Sequence, residues 1–164
     1  MKKNVRFITH GALIAALYAA VNFLQNTLLP GSASQMIQFR AAEALCVLAL
    51  FTPAAIPGLT LGCLIFNVAA GASAADFVIG TAASALAAMA MYLTRKITLR
   101  GYPLPAMVMP ALFNGLMVGW MLAYYFGGGF WLNAACVAIG ELGVLLTLGT
   151  ALFYSLKRHK RIFD

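Results

Sequence analysis

The chain is 164 residues long, 63% apolar and only 9% charged, with a mean hydropathy of +0.90. Soluble domains carry about 25% charged residues, so a fold of this size has too few charges to face water, and a soluble or secreted domain is excluded; lipid is its solvent. The net charge of +7 does not point to nucleic acid, because the bases form clusters that flank apolar runs: Lys2, Lys3 and Arg6; Arg95, Lys96 and Arg100; Lys157, Arg158, Lys160 and Arg161.

A helix needs roughly 20 apolar residues to cross a bilayer, so this length allows about six spans and leaves no room for a soluble domain. The first is predicted from about Phe7 to Leu29 and is broken by Pro30, Gly31 and Ser32. It is too long, and too plainly continued by others, to be a cleaved signal peptide. The second runs from about Met36 to Phe51 and stops at Thr52 and Pro53. Pro57 and Gly58 open the third, which reaches Ala70 and Gly71. The fourth runs from about Ala74 to Thr94, and a loop follows from Gly101 to Pro105. The fifth spans about Ala106 to Phe126 and ends in Gly127, Gly128 and Gly129; the sixth spans about Trp131 to Leu156.

Six spans place all three basic clusters on one side, which the positive-inside rule makes cytoplasmic. Tyr124, Tyr125, Phe126, Phe130 and Trp131 then form an interfacial belt at the opposite side. The expected fold is an all-α integral membrane bundle of six transmembrane helices, one domain over residues 1–164, with N- and C-termini cytoplasmic. The location is the cell membrane.

Away from the anchors and Asp164, four charges remain: Arg40, Glu43, Asp76 and Glu141. A charge at the bilayer centre costs about 2.5–3.5 kcal/mol even on lenient scales, so such groups face a bundle interior or a wet cavity. Glu43 follows Arg40 by three residues on nearly one helix face. Glu141 is ten residues past Trp131, roughly 15 Å into the membrane. Asn22, Gln25, Asn26, Gln38, Asn67 and Asn114 lie at similar depths. Together they suggest a polar pocket open to the outside and walled by Phe39, Phe66 and Phe77.

Each group also has a plainer reading. Arg40 and Glu43 fit a structural intrahelical pair, Asp76 a charge at a helix N-terminus, and Asn67 and Asn114 interhelical hydrogen bonds. Glu141, deep and without a basic neighbour in its span, is the hardest to explain structurally. Ala12, Ala16 and Ala20 recur every four residues beside Ala15 and Ala19. That stripe lets a helix approach closely, either within the bundle or from a separate membrane subunit.

No GxxxxGK[ST] phosphate loop is present. Cys46, Cys63 and Cys136 stand singly, and His10 and His159 belong to no Cys/His cluster in the sequence, so neither a metal nor another cofactor is indicated. A pocket without a motor suggests a binding subunit that draws its energy from other proteins.

The run Ile37-Gln38-Phe39-Arg40-Ala41-Ala42-Glu43-Ala44-Leu45 resembles the IQFRxxEAL signature of the queuosine-precursor transporter (QueT) family. The segment from Pro57 to Asn67 resembles that family's following segment, Asp76 to Thr81 its D-x-x-x-G-T stretch, and Gly140-Glu141 its late Gly-Glu pair. The resemblance implies the substrate-binding S component of an energy-coupling factor (ECF) transporter. Such a component has six membrane helices and docks through small residues of its first helix onto a transmembrane T subunit carrying two ATPase subunits. The implied ligands are queuine, preQ1, preQ0 or similar 7-deazaguanines. On that reading Glu43 or Glu141 accepts from the guanine edge, Asp76 meets a cationic tail, and Arg40 balances the carboxylates, with Gln38, Asn67 and Asn114 beside them; Ala12, Ala16 and Ala20 form the docking stripe. The alternatives are an S component for another vitamin or purine, a self-sufficient small membrane exporter, and an assembly protein without a ligand.

Overall fold

The computed structural model describes residues 2–32 and 38–159, without the side chains of Lys2 and Asp76. Met36 and Ile37, Lys160, Arg161 and Asp164 lie outside the described residues. The described chain is helical: α1 (Lys2–Leu28), α2 (Ala41–Leu50), α3 (Ala55–Ala69), α4 (Phe77–Thr94), α5 (Leu104–Phe126) and α6 (Phe130–Arg158). Four of these, α1, α4, α5 and α6, are long and apolar enough to cross a membrane, while α2 and α3 are shorter. The protein is a multi-pass membrane protein.

Helix directions follow from which residues meet. Gly58 and Gly62 of α3 lie so close to α1 that an added Cβ would stand 2.8 Å from the carbonyl oxygens of Gly11 and Ala15 respectively. Sequence numbers rise together along this contact, so α1 and α3 are parallel. Gly115 and Gly119 of α5 meet Ala138 and Ala134 of α6 in the reverse order, which makes that pair antiparallel. Gly80, early in α4, faces Asn67, late in α3. Gln38 crosses Gly140 and Val47 of α2 approaches Gly149, so α2 runs parallel to α6. The helices thus alternate in direction, and α1 begins at the end where α6 finishes. Leu50, Phe51, Arg95, Gly101 and Lys157 border one cavity at this end, which joins the second and third basic clusters.

The helix α2 departs most from expectation. It is wound as a 3₁₀ helix and starts at Ala41 rather than near Met36. Ten residues at about 2.0 Å each reach about 20 Å, whereas an α-helix of that length would reach about 15 Å. Residues from Ala42 through Ala49 are buried, and α2 contacts all five other helices. Alanines at 41, 42, 44 and 49 keep it slim enough to sit in the middle.

Ile14, Tyr18, Leu59, Met91 and Leu145 surround α2 and pack with its Val47. A smaller cluster of Ala83, Val118, Met121 and Val137 joins α4, α5 and α6. Two π-helical turns, Asp76–Gly80 and Leu145–Gly149, interrupt the α-helical winding. Tyr124, Tyr125, Phe126 and Trp131 are exposed beside the positive-φ Gly127 and Gly128, as a belt requires.

Candidate functional site

The central position of α2 sets the site. Arg40 lies just before it in extended backbone, and Glu43 sits in its first turn. In a 3₁₀ helix residues three apart eclipse, and accordingly the Cys46 thiol donates to Glu43 Oε2 at 3.2 Å. From α1, the Tyr18 hydroxyl donates to Glu43 Oε1 at 2.5 Å. Both Glu43 oxygens are therefore engaged, and the residue is fully buried.

The start of α2 is fixed by Gln25 of α1. Its Oε1 accepts from the Ala41 amide at 2.7 Å, and its amide nitrogen donates to the Ser32 hydroxyl and the Phe39 carbonyl. The Gln38 and Phe39 backbone then passes over α6. Gly140 is needed there, because a Cβ would run into the Gln38 carbonyl oxygen. The Gly-Glu pair thus combines a backbone crossing with an acid on the next residue.

Glu141 is 1% exposed. Asn114 of α5 donates to its Oε1 at 2.9 Å. Its Oε2 is buried without a hydrogen-bond partner. A buried polar atom left this way costs about 1–3 kcal/mol, more when charged; the Thr81 and Ser84 hydroxyls of α4 are also buried without a partner, but Glu141 is the acid among them. Arg40 interacts electrostatically with both Glu43 and Glu141, and the two carboxylates with each other. Arg40, Glu43, Asn114 and Glu141 therefore form one polar cluster from α2, α5 and α6, with Tyr18 added from α1.

Asn67 lies apart from this cluster. It is buried, its amide donates to Cys63 Sγ at 3.5 Å, and it packs against Gly80. Asp76 opens the π turn that ends at Gly80, which places its backbone near the Asn67 end of α3. Gln38 is buried where the chain crosses Gly140. The three aromatic residues do not close a common wall: Phe39 and Phe77 are exposed, and Phe66 stacks edge-on with Phe23 at 5.2 Å. Phe39 instead borders a cavity of about 360 Å³ with Gln25, Gly143 and Thr147.

Sequence reasoning missed Tyr18. Its hydroxyl among the alanines of α1 was the available signal, since a buried Tyr O–H usually finds a partner. On α1, Ala15 and Ala19 are buried, whereas Ala12, Ala16 and Ala20 are exposed.

A helical membrane bundle that keeps ionisable groups together in its interior has the architecture of a transport protein rather than of a passive anchor. The family model described as QueT transporter matches residues 8–158, and the chain belongs to that family of membrane transporters. No curated protein and no solved structure matches the chain.

Proposed function

We propose that the protein is the substrate-binding S component of an ECF transporter and imports queuosine precursors: queuine, preQ1, preQ0 or a similar 7-deazaguanine. Membership of the QueT family supports the reading. The observation that carries it is Glu141, whose Oε2 waits unpaired beside Asn114, Arg40 and Glu43. The guanine edge presents adjacent N–H donors, and a carboxylate accepts such a pair in a bidentate manner. Glu141 suits this better than Glu43, whose oxygens already hold Tyr18 and Cys46. Arg40 donates to the base carbonyl and offsets the two carboxylates. Asp76, with Asn67 at its level, meets the aminomethyl cation that some precursors carry. Gln38 belongs to the wall where the chain crosses α6.

A transporter without a phosphate loop takes its energy from elsewhere, here from two ATPase subunits held by a transmembrane T subunit. The exposed alanines at 12, 16 and 20 suit the docking of a foreign helix, since the bundle's own contacts on α1 use the neighbouring face. Six crossings, with the basic end cytoplasmic, agree with the alternating helix directions and with the charge distribution.

Native mass spectrometry of the purified chain tests the proposal. The expected result is one co-purifying 7-deazaguanine, displaced by added preQ1 or queuine and not by riboflavin. Displacement by guanine or a vitamin alone would reassign the ligand, and transport by the lone chain in proteoliposomes would overturn the S-component reading.

A further inference from the structure

The cavity at the basic end lies far from the Glu141 cluster and has a different chemistry. It measures about 220 Å³ and opens between the ends of α2, α4 and α6 and the loop that joins α4 to α5. Leu50, Phe51 and Phe153 make apolar walls, and Arg95 and Lys157 bring cations from two different helices.

Each cation lies over an aromatic ring, and Arg95 is also held by a hydrogen bond. Arg95 donates from Nη1 to the Tyr92 carbonyl at 2.5 Å, and its guanidinium lies 3.6 Å from the centre of the Tyr92 ring. These contacts use one of five N–H donors. The Lys157 ammonium stands 5.6 Å from the centre of the Phe153 ring, which is itself a wall of the cavity. Thr98 adds a hydroxyl to the lining.

The chain has four acidic residues. Glu43 and Glu141 are buried in the interior, and Asp76 lies just before α4, at the end of that helix opposite Arg95. Among the described residues, then, no carboxylate is placed to neutralise Arg95 and Lys157. A cavity at the membrane boundary with an apolar floor, two cations and, among the described residues, no counter-charge has the complementarity of an amphiphilic phosphate.

We propose that this cavity binds one anionic phospholipid. Its phosphate sits between Arg95 and Lys157, and the first part of an acyl chain lies against Leu50, Phe51 and Phe153. Basic pockets between membrane helices recognise lipid headgroups in this way. Free phosphate shares the charged half of the site and gains nothing from the apolar walls.

The test is native mass spectrometry of the full chain in neutral detergent, titrated with phosphatidylglycerol or with phosphatidylcholine. The wild type is expected to retain a single phosphatidylglycerol roughly tenfold better than phosphatidylcholine. Lys157→Gln, at an exposed position that folding tolerates, should lose several-fold in retention, and Arg95→Gln with Lys157→Gln should lose the preference. Lys2→Gln with Lys3→Gln, a variant of equal net charge, should keep it. Thermal unfolding provides a second readout: phosphatidylglycerol should raise the Tm of the wild type and not that of Lys157→Gln. Equal retention of the two lipids, equal loss in the N-terminal control, or displacement of the lipid by millimolar inorganic phosphate would each overturn the proposal.

Discussion

Asn114 and Glu141 face each other from antiparallel helices, and the 2.9 Å hydrogen bond between them satisfies only one carboxylate oxygen. A charge-assisted hydrogen bond is worth about 1.5–3 kcal/mol. Glu141→Gln is therefore expected to weaken binding of a 7-deazaguanine by roughly 10- to 100-fold, with a small change in the Tm of the empty protein. Glu43→Gln should show the opposite balance, because its oxygens hold Tyr18 and Cys46. Titration calorimetry and thermal unfolding of both variants check this; unchanged affinity in both rejects the assignment of the base-reading acid.

Tyr18→Phe removes the hydroxyl that donates to Glu43 and keeps the ring that packs in the core. Leaving a buried acceptor short of a partner costs about 1–3 kcal/mol. A lower Tm is the expected outcome, and a Tm equal to that of the wild type would show that the bond contributes nothing to stability.

Glycine has different roles at two positions near one end of the bundle. A Cβ at Gly119 would lie 2.5 Å from Ala134 Cα, backbone that cannot swing aside. Gly119→Ala should cost about 1–3 kcal/mol or more, as overpacking does. Gly129 has open space around it and φ of −74°. Gly129→Ala should change stability by less than about 1 kcal/mol, because the reduced freedom of the unfolded chain offsets a poorer N-cap for α6. Thermal unfolding of the two variants side by side is the measurement.

The two faces of α1 predict opposite outcomes for one substitution. Ala16 is exposed, so Ala16→Trp should leave folding and ligand binding intact and block assembly with the T subunit. Ala15 packs against Gly62, so Ala15→Trp should prevent a stable fold. Size-exclusion analysis of co-expressed subunits reads the first, and yield of monodisperse protein reads the second. Full assembly with Ala16→Trp would move the docking face elsewhere.

The long helices were legible because twenty apolar residues bounded by Gly, Pro or bases have few other uses. The residues from Trp131 to Leu156 lie within one helix, Phe130–Arg158, and the fifth span differs from Leu104–Phe126 only at its start. The residues around Arg40 were harder. Their polarity marked them as interior, yet helical periodicity could not reveal 3₁₀ winding, and the start of α2 is set by Gln25 from another helix. Glu141 and Asn114 were recognised separately as buried polar groups, but their pairing depends on the α5–α6 packing at Gly115 and Gly119. Tyr18 was overlooked because an aromatic ring in an apolar run reads as core, which it also is.

The enclosure of α2 bears on how the chain is made. At about 20 Å it falls short of the roughly 30 Å hydrocarbon layer, and it carries a carboxylate with Arg40 at its mouth. Released alone from the translocon it would be a poor resident of lipid. Its shelter includes α6, which is synthesised about eighty residues after it. Biogenesis must therefore hold α2 in an unfinished setting until α6 arrives, so truncation before residue 130 should leave a product that membrane quality control removes.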